Sequence, residues 1–472
     1  QITVDGEFNS IINGAADWVY EEEFSFAKAW FWSPDGDRIA FYRFDEAHVK
    51  EFTMEEWGTL YPEQVRFKYP KAGEENAVVS IHVHDLNSGE TSMMDIGEET
   101  NQYIPRINWS RDNDLLAIRR MNRLQNQEDL LFADVLTGET SLIMTETSET
   151  WLDVHDNLYF HGNGKQFITT SSKTGFNHVY LYSLEGEEIR QITKGDYDVT
   201  EIVGYNERNH NLYYLSTEVS PLQRHLYRVR VDGRRKRSMT EAEGWYSINM
   251  SRDFKYYIQT YSDFDKPPVY TLHEADDKLV RVIEDNAQMV ENLNLYSFQY
   301  KEFMTFDINE ETLNAYMIKP PNFDETQKYP VLMHVYGGPG SQRVTRSFNS
   351  SERPMWHQYL VNQGYIVITV DNRGTGGRGI EFQNQVYKQL GVLETEDQVE
   401  AARQIAELSY VDAERIGIWG WSYGGYMSTL ALAEGNDVFA SAIAVAPVTH
   451  WKFYDTIYTE RFMQTPQLNL DG

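Results

Sequence analysis

Residues 415–426 read Arg-Ile-Gly-Ile-Trp-Gly-Trp-Ser-Tyr-Gly-Gly-Tyr, with Ser422 at the centre of a Gly-x-Ser-x-Gly motif. An apolar run leads into the motif and a helix-compatible run, 426–433, leads out of it. Strand, sharp turn and helix in that order is the setting in which a serine projects its Oγ above the edge of a sheet. Gly420 and Gly424 stand two residues before and two after, where any Cβ would crowd the turn. The helix start behind the serine favours negative charge developing there.

Around this motif, from about residue 296, apolar runs at 331–335, 365–370 and 415–419 alternate with helical patterns such as 398–408. That alternation predicts a parallel sheet with helical crossovers. The segment Lys319-Pro320-Pro321-Asn322-Phe323 reads as a loop.

Upstream, between about 28 and 290, the pattern differs. Apolar strands at 81–86, 130–136, 179–184 and 226–231 each precede a polar turn with Gly89, Gly138, Gly186 or Gly233, so the glycines recur at intervals of 49, 48 and 47 residues. A fifth copy, 269–273 followed by Asp276-Asp277, lacks the glycine. A second marker precedes these hairpins: Phe31-Trp32-Ser33-Pro34-Asp35-Gly36, then Asn108-Trp109-Ser110-Arg111-Asp112, and later Asn249-Met250-Ser251-Arg252-Asp253. Each reads as strand, Asx or Ser turn, strand. Four strands per unit of nearly 50 residues suit the blades of a β-propeller, whose neighbours supply the burial a lone blade lacks, and about five are expected. A β-sandwich with accidental spacing is the rival.

Composition narrows the function. The chain has 472 residues, too many for one ordinary core. Its 72 acidic against 42 basic residues give a formal charge of -30, which repels nucleic acid and anionic lipid. The short basic run Arg234-Arg235-Lys236-Arg237 beside a Gly turn reads as a solvated face. With no cysteine, disulfides, thiolate metal sites and cysteine nucleophiles are excluded. No apolar stretch approaches the roughly 20 residues that span a bilayer. The start at Gln1, with neither Met nor a signal-type segment, suggests a missing amino terminus. His82 and His84 share one strand face but lack a third ligand, so no metal or cofactor is expected.

An acyl-transfer site also needs donors aimed at an oxyanion. Tyr423 supplies a backbone N–H directly after the serine, and Tyr336, opening the Gly-rich turn 336–340 after a strand, can bring backbone or hydroxyl to the same point. The base is harder to find, because this hydrolase chemistry on α/β sheets runs Ser, then Asp, then His. Only 50 residues follow Ser422; they contain Asp437, Asp455, Asp471 and His450, and His450 precedes Asp455. The simpler reading is that the chain stops before the Asp and His of the triad.

The segment 420–426 is similar to the nucleophile motif of the dipeptidyl peptidase IV subfamily of the prolyl oligopeptidase family of serine peptidases. Asp17-Trp18-Val19-Tyr20-Glu21-Glu22-Glu23 resembles its double-glutamate segment, Tyr69-Pro70-Lys71-Ala72-Gly73 a propeller stretch, and 451–461 its proline-pocket segment. The resemblance implies a β-propeller, partial here, over 1–295 and an α/β-hydrolase domain with a mainly parallel sheet, also partial, over 296–472. It implies that Ser422 is the nucleophile and that Tyr336, through its hydroxyl, and Tyr423, through its N–H, are the oxyanion donors. By the same resemblance Glu22 and Glu23 grip a substrate's α-ammonium through charge-assisted hydrogen bonds. Val448, Trp451, Tyr454 and Tyr458 would line a flat apolar pocket for Pro and, less favourably, Ala.

The activity so implied is release of X-Pro dipeptides from peptides with a free amino terminus, by way of an acyl-enzyme. The family also suggests a homodimer and a secreted, periplasmic or surface-anchored setting. The family's remaining propeller blades, the hydrolase residues before them, an upstream Arg, a late Asn and the distal Asp and His are missing here, so the 472-residue chain alone is expected to turn over little substrate. A prolyl endopeptidase of the same family and an inactive propeller-based binding protein are the competing readings.

Overall fold

The computed structural model describes residues 1–161, 164–348 and 353–470. Among these, five antiparallel sheets of four or five strands succeed one another from Ile11 to Glu284, with the two-stranded hairpin Glu51–Glu56/Glu63–Lys68 besides. The first joins Ile11–Asn13, Arg38–Asp45, Val78–Asp85 and Thr91–Met93, with Trp30–Trp32 also pairing to Arg38–Asp45. The next four are four-stranded meanders, running from Gln102–Trp109 to Thr140–Thr147, Leu158–His161 to Glu188–Gln191, Val199–Asn206 to Arg237–Ser238, and Trp245–Met250 to Leu279–Glu284. Blade-like sheets thus follow one another at the spacing the glycines mark.

The turns form for local reasons. Gly138 takes φ 79°, and the Asp134 carboxylate accepts from the backbone N–H groups of Leu136 and Thr137. Gly186, at φ 84°, also lies against the Ile143 carbonyl, where a Cβ would come within 1.9 Å of the oxygen. In the fifth copy Asp277 adopts φ 81°, doing what glycine does in the others. The second marker works through its serine: Ser33 Oγ accepts from Arg38 N, and Ser251 Oγ from Tyr256 N.

From Glu302 to Val445 a six-stranded sheet takes the order 302–308, 311–318, 366–370, 329–334, 411–421, 441–445. The last four strands are mutually parallel, and the hairpin 302–308/311–318 adds antiparallel at one edge. Helix Val392–Ala406 begins six residues before the stretch that hydrophobic periodicity marks, because the Glu394 carboxylate accepts from Gly391 N and caps the start. The 319–323 segment lies outside helix and strand.

Two compact units are present: Gln1–Thr169 with Tyr182–Ile189 and His450–Gly472, and Thr170–Leu181 with Arg190–Thr449. The first is centred on buried Tyr20, Phe24, Phe44 and Tyr103, whose rings meet edge to face, with Ile457 in the same cluster. In the second, the sheet buries His334 and His357 beside Trp419, whose Nε1 donates to His357 Nε2 at 3.0 Å. No helix among the described residues is long and apolar enough to cross a membrane.

Burial holds His334 far below the usual imidazole range and His357 down to about 4. Both groups therefore fold neutral, while the unfolded chain binds protons below about 6.5. The stability they carry is complete above that pH and is lost as pH falls towards 4. For His357 the loss amounts to about 3 kcal/mol. Denaturant melts at pH 7.5 and 4.5 check this: His357→Gln, which still accepts from Trp419, should lose less stability over that interval than the native protein.

Candidate active site

The strand Val411–Trp421 ends at Ser422, which adopts φ 58° and ψ -116° before helix Tyr423–Glu434 begins. A non-glycine residue held there stores about 1–3 kcal/mol of backbone strain. The surroundings over-determine the turn: Ser422 N donates to Val445 O at 2.9 Å, and Tyr426 N donates to Ser422 O at 3.1 Å. A Cβ on Gly420 would lie 2.3 Å from the Val335 carbonyl oxygen, and one on Gly424 2.2 Å from the same atom. Both glycines are thus steric necessities of packing the elbow against the neighbouring strand.

That neighbour explains Tyr336. Strand Tyr329–His334 runs parallel to 411–421 with His334 opposite Trp419, so the residues after both strands emerge at the same sheet edge. The rings of Tyr336 and Tyr423 lie 6.0 Å apart. Tyr336 and Ser422 are half-buried and Tyr423 is buried. The Tyr423 hydroxyl donates to Glu394 Oε1 at 2.6 Å, and burial pushes that carboxyl up to about 7. Strand Ser441–Val445 lies parallel on the other side of 411–421, and half-buried Val448 follows it at the same edge. Ser422, Tyr336 and Tyr423 are thus brought together, and Val448 is carried to their edge of the sheet.

The other unit holds the remaining candidates. Helix Trp18–Glu23 is capped by Asp17, which accepts from Tyr20 N at 3.0 Å. Burial raises Asp17 to about 7. Glu22 is exposed and Glu23 half-buried. Glu23 meets Asp455, a fully buried carboxylate that caps helix Thr456–Met463 by accepting from Tyr458 N at 2.9 Å. Desolvation pushes both carboxyls upward, Glu23 further, and their mutual repulsion adds to the rise of Glu23. Arg461, held by Gln125 at 2.8 Å, opposes both shifts.

Beside this pair, Trp451, Tyr454 and Tyr458 form an aromatic cluster. Trp451 and Tyr458 stack at 5.6 Å, and Tyr454 meets Tyr458 edge-on at 5.4 Å. The 69–73 stretch is what grips this segment: Ala72 N donates to Tyr454 O, Thr456 N to Pro70 O, and Gly73 N to Glu460 Oε1 at 2.7 Å. Glu460, fully buried, also pairs with Arg123 at 2.6 Å. Asp455, Arg461 and Glu460 were not singled out for these roles; an aspartate directly before a helical run is the N-cap signal that could have found the first.

The remaining candidates have structural partners. His450 Nδ1 accepts from Lys452 N and caps the short turn Trp451–Phe453. Asp437 pairs with Arg403 on the surface, and Asp471 lies outside the described residues. His82 bonds to Ser80 and His84 to Thr91.

The strain at Ser422 is testable. Ser422→Gly should raise the unfolding free energy by about 1 kcal/mol, whereas Gly424→Ala should lower it by about 3 kcal/mol. Denaturant melts read both; a glycine variant no more stable than the native protein would contradict stored strain.

Comparison with known proteins places this geometry in context. Residues 1–268 match the family described as Dipeptidyl peptidase IV (DPP IV) N-terminal region, and residues 352–472 match the Prolyl oligopeptidase family. A probable dipeptidyl peptidase 4 of Aspergillus flavus is 33% identical, over 100% of this chain and 64% of its own length. The dipeptidyl peptidase 4 of Trichophyton tonsurans is 34% identical, over 98% of this chain and 62% of its own. The chain thus spans less than two thirds of the length of these curated relatives. The crystal structure of Porphyromonas gingivalis dipeptidyl peptidase 4 superposes with a TM-score of 0.95 at 41% identity, covering 100% of this chain and 67% of that one. The chain belongs to the dipeptidyl peptidase IV group of the prolyl oligopeptidase family.

Proposed function

We propose that the whole protein is a serine exopeptidase that releases N-terminal X-Pro, and less well X-Ala, dipeptides. The observation that carries this reading is the contact of half-buried Glu23 with fully buried Asp455, next to the rings of Tyr454 and Tyr458. Two acids in contact, both raised by desolvation, are a poor resting arrangement, and a primary ammonium is the group that relieves it. Asp455 stands between the first tyrosine and the helix bearing the second. A residue one step from the bound amine therefore meets flat apolar walls suited to a pyrrolidine ring.

Ser422 Oγ then attacks the carbonyl carbon of that second residue. The Tyr336 hydroxyl and Tyr423 N–H donate to the carbonyl oxygen as it gains charge. The Oγ proton passes through a general base to the leaving amine, the C–N bond breaks, and an acyl-serine ester remains. Water hydrolyses the ester and releases the dipeptide. The proposal assigns the α-ammonium to Glu22 and Glu23 and the acyl group to Ser422, and divides the chain into a propeller module over 1–295 and a hydrolase module over 296–472.

Two further parts of the proposal concern setting. A homodimer is supported by the hairpin Glu51–Glu56/Glu63–Lys68, which carries exposed Met54, Trp57, Leu60 and Tyr61. A secreted, periplasmic or surface-anchored location is proposed from the family.

Three substitutions and one blocked substrate test the reading in the full-length protein. Ser422→Ala should abolish turnover of an X-Pro anilide. Glu22→Gln and Glu23→Gln should each lower kcat/KM about 10- to 100-fold, and acetylating the substrate's amine should do the same to the native enzyme. Equal cleavage of blocked and free substrates would favour a prolyl endopeptidase; failure of a fluorophosphonate to label Ser422 would favour an inactive binding protein.

A further inference from the structure

Seven residues after Tyr336 the chain turns back on itself. The Arg343 guanidinium carbon lies 4.7 Å from the centroid of the Tyr336 ring, well inside the distance at which a cation is attracted to an aromatic face. The placement is built rather than incidental. Strand Ile366–Val370, parallel to the strand that leads to Tyr336, ends at Asp371. That carboxylate accepts from Arg343 N at 2.9 Å and from Val344 N at 2.8 Å, pinning the backbone from which the guanidinium projects. Asp371 is buried, Val344 wholly so.

The turn between the two residues is tied as firmly. Gly340 N donates to Gly374 O at 2.9 Å, Gly376 N to Ser341 O at 2.8 Å, and Ser341 Oγ to Gly338 O at 2.6 Å. Asn372 Nδ2 donates to Gly337 O at 3.0 Å. Gly337, Gly340, Ser341, Arg343 and Val344 are therefore anchored to residues 371–376 after the neighbouring strand. The tyrosine ring and the cation over it are presented as one unit.

The geometry points to Arg343 as a positioning residue for the reaction: stacked on Tyr336, it holds the ring and makes the phenol hydroxyl a stronger donor to the oxyanion. The physical reason is charge. As the hydroxyl shares its proton with a forming oxyanion, negative charge grows on the phenol oxygen and ring, and a fixed cation over the face stabilises that state more than the resting one. Such a contribution exists only while the oxyanion is present, so it appears in kcat and not in ground-state binding. The inference rests on the reading of Tyr336 as an oxyanion donor.

A double-mutant cycle in the full-length protein tests it, with an X-Pro anilide as substrate and melting temperature as a control for folding. Tyr336→Phe should lower kcat about 100-fold. Arg343→Gln should lower kcat about tenfold with KM changed by less than about twofold, and Arg343→Lys, which keeps the charge, should recover most of the loss. In the Tyr336→Phe background, Arg343→Gln should change kcat by less than about twofold. Arg343→Met runs the same cycle should the glutamine variant not fold. A full tenfold loss in the phenylalanine background would overturn the inference while leaving Tyr336 an oxyanion donor. No loss from Tyr336→Phe itself would overturn both.

Discussion

Glu23 and Asp455 are two carboxyl groups in contact, the first half-buried and the second fully buried; desolvation raises both, and the nearby Arg461 only partly offsets the rise. Each is committed by its backbone. Asp455 is the N-cap of one helix, and Glu23 closes another whose own cap is the buried Asp17. Asp455 cannot swing out to water without uncapping its helix. Arg461 opposes the repulsion but is itself held by Gln125. On the proposed reading, this pair of raised carboxyls is what selects an ammonium over a neutral amide.

Around Ser422 the logic is steric instead. A strained φ is tolerated because Gly420 and Gly424 let the elbow press on the Val335 carbonyl, and because parallel neighbours supply hydrogen-bond partners on both sides. The same strand order sends the loops after 334, 370 and 421 to one edge, where the rings of Tyr336 and Tyr423 meet and Asp371 holds the backbone of 343–344. Ligand sites at the carboxyl ends of parallel strands arise in this way.

Much of this can be read in the sequence where the controlling interaction is local. The hairpin glycines recur because each turn needs a left-handed residue, and the spacing therefore marks the successive sheets. The elbow is equally local, since the residues that strain and relieve it span five positions. Asp455 shows where such reading stops. In sequence it is only one of the acids that follow Ser422, yet its roles are to cap its own helix and to face Glu23, more than 400 positions earlier. Glu460 with Arg123, and the 69–73 stretch with Tyr454, are paired only by the fold. The helix starts at Val392, earlier than hydrophobic periodicity marks, because the run 394–398 is polar and its start depends on Glu394 reaching back to Gly391.

The raised carboxyls of Glu23 and Asp455 make one measurement decisive. A non-cleavable X-pyrrolidide carries its α-ammonium at pH 7, below the usual amine pKa of about 7.7–8.0. Titrated calorimetrically into the full-length protein in buffers of different ionisation enthalpy, it should release close to one proton per site, and Glu23→Gln should abolish the release. Tight binding with no proton released by the native protein would contradict the account.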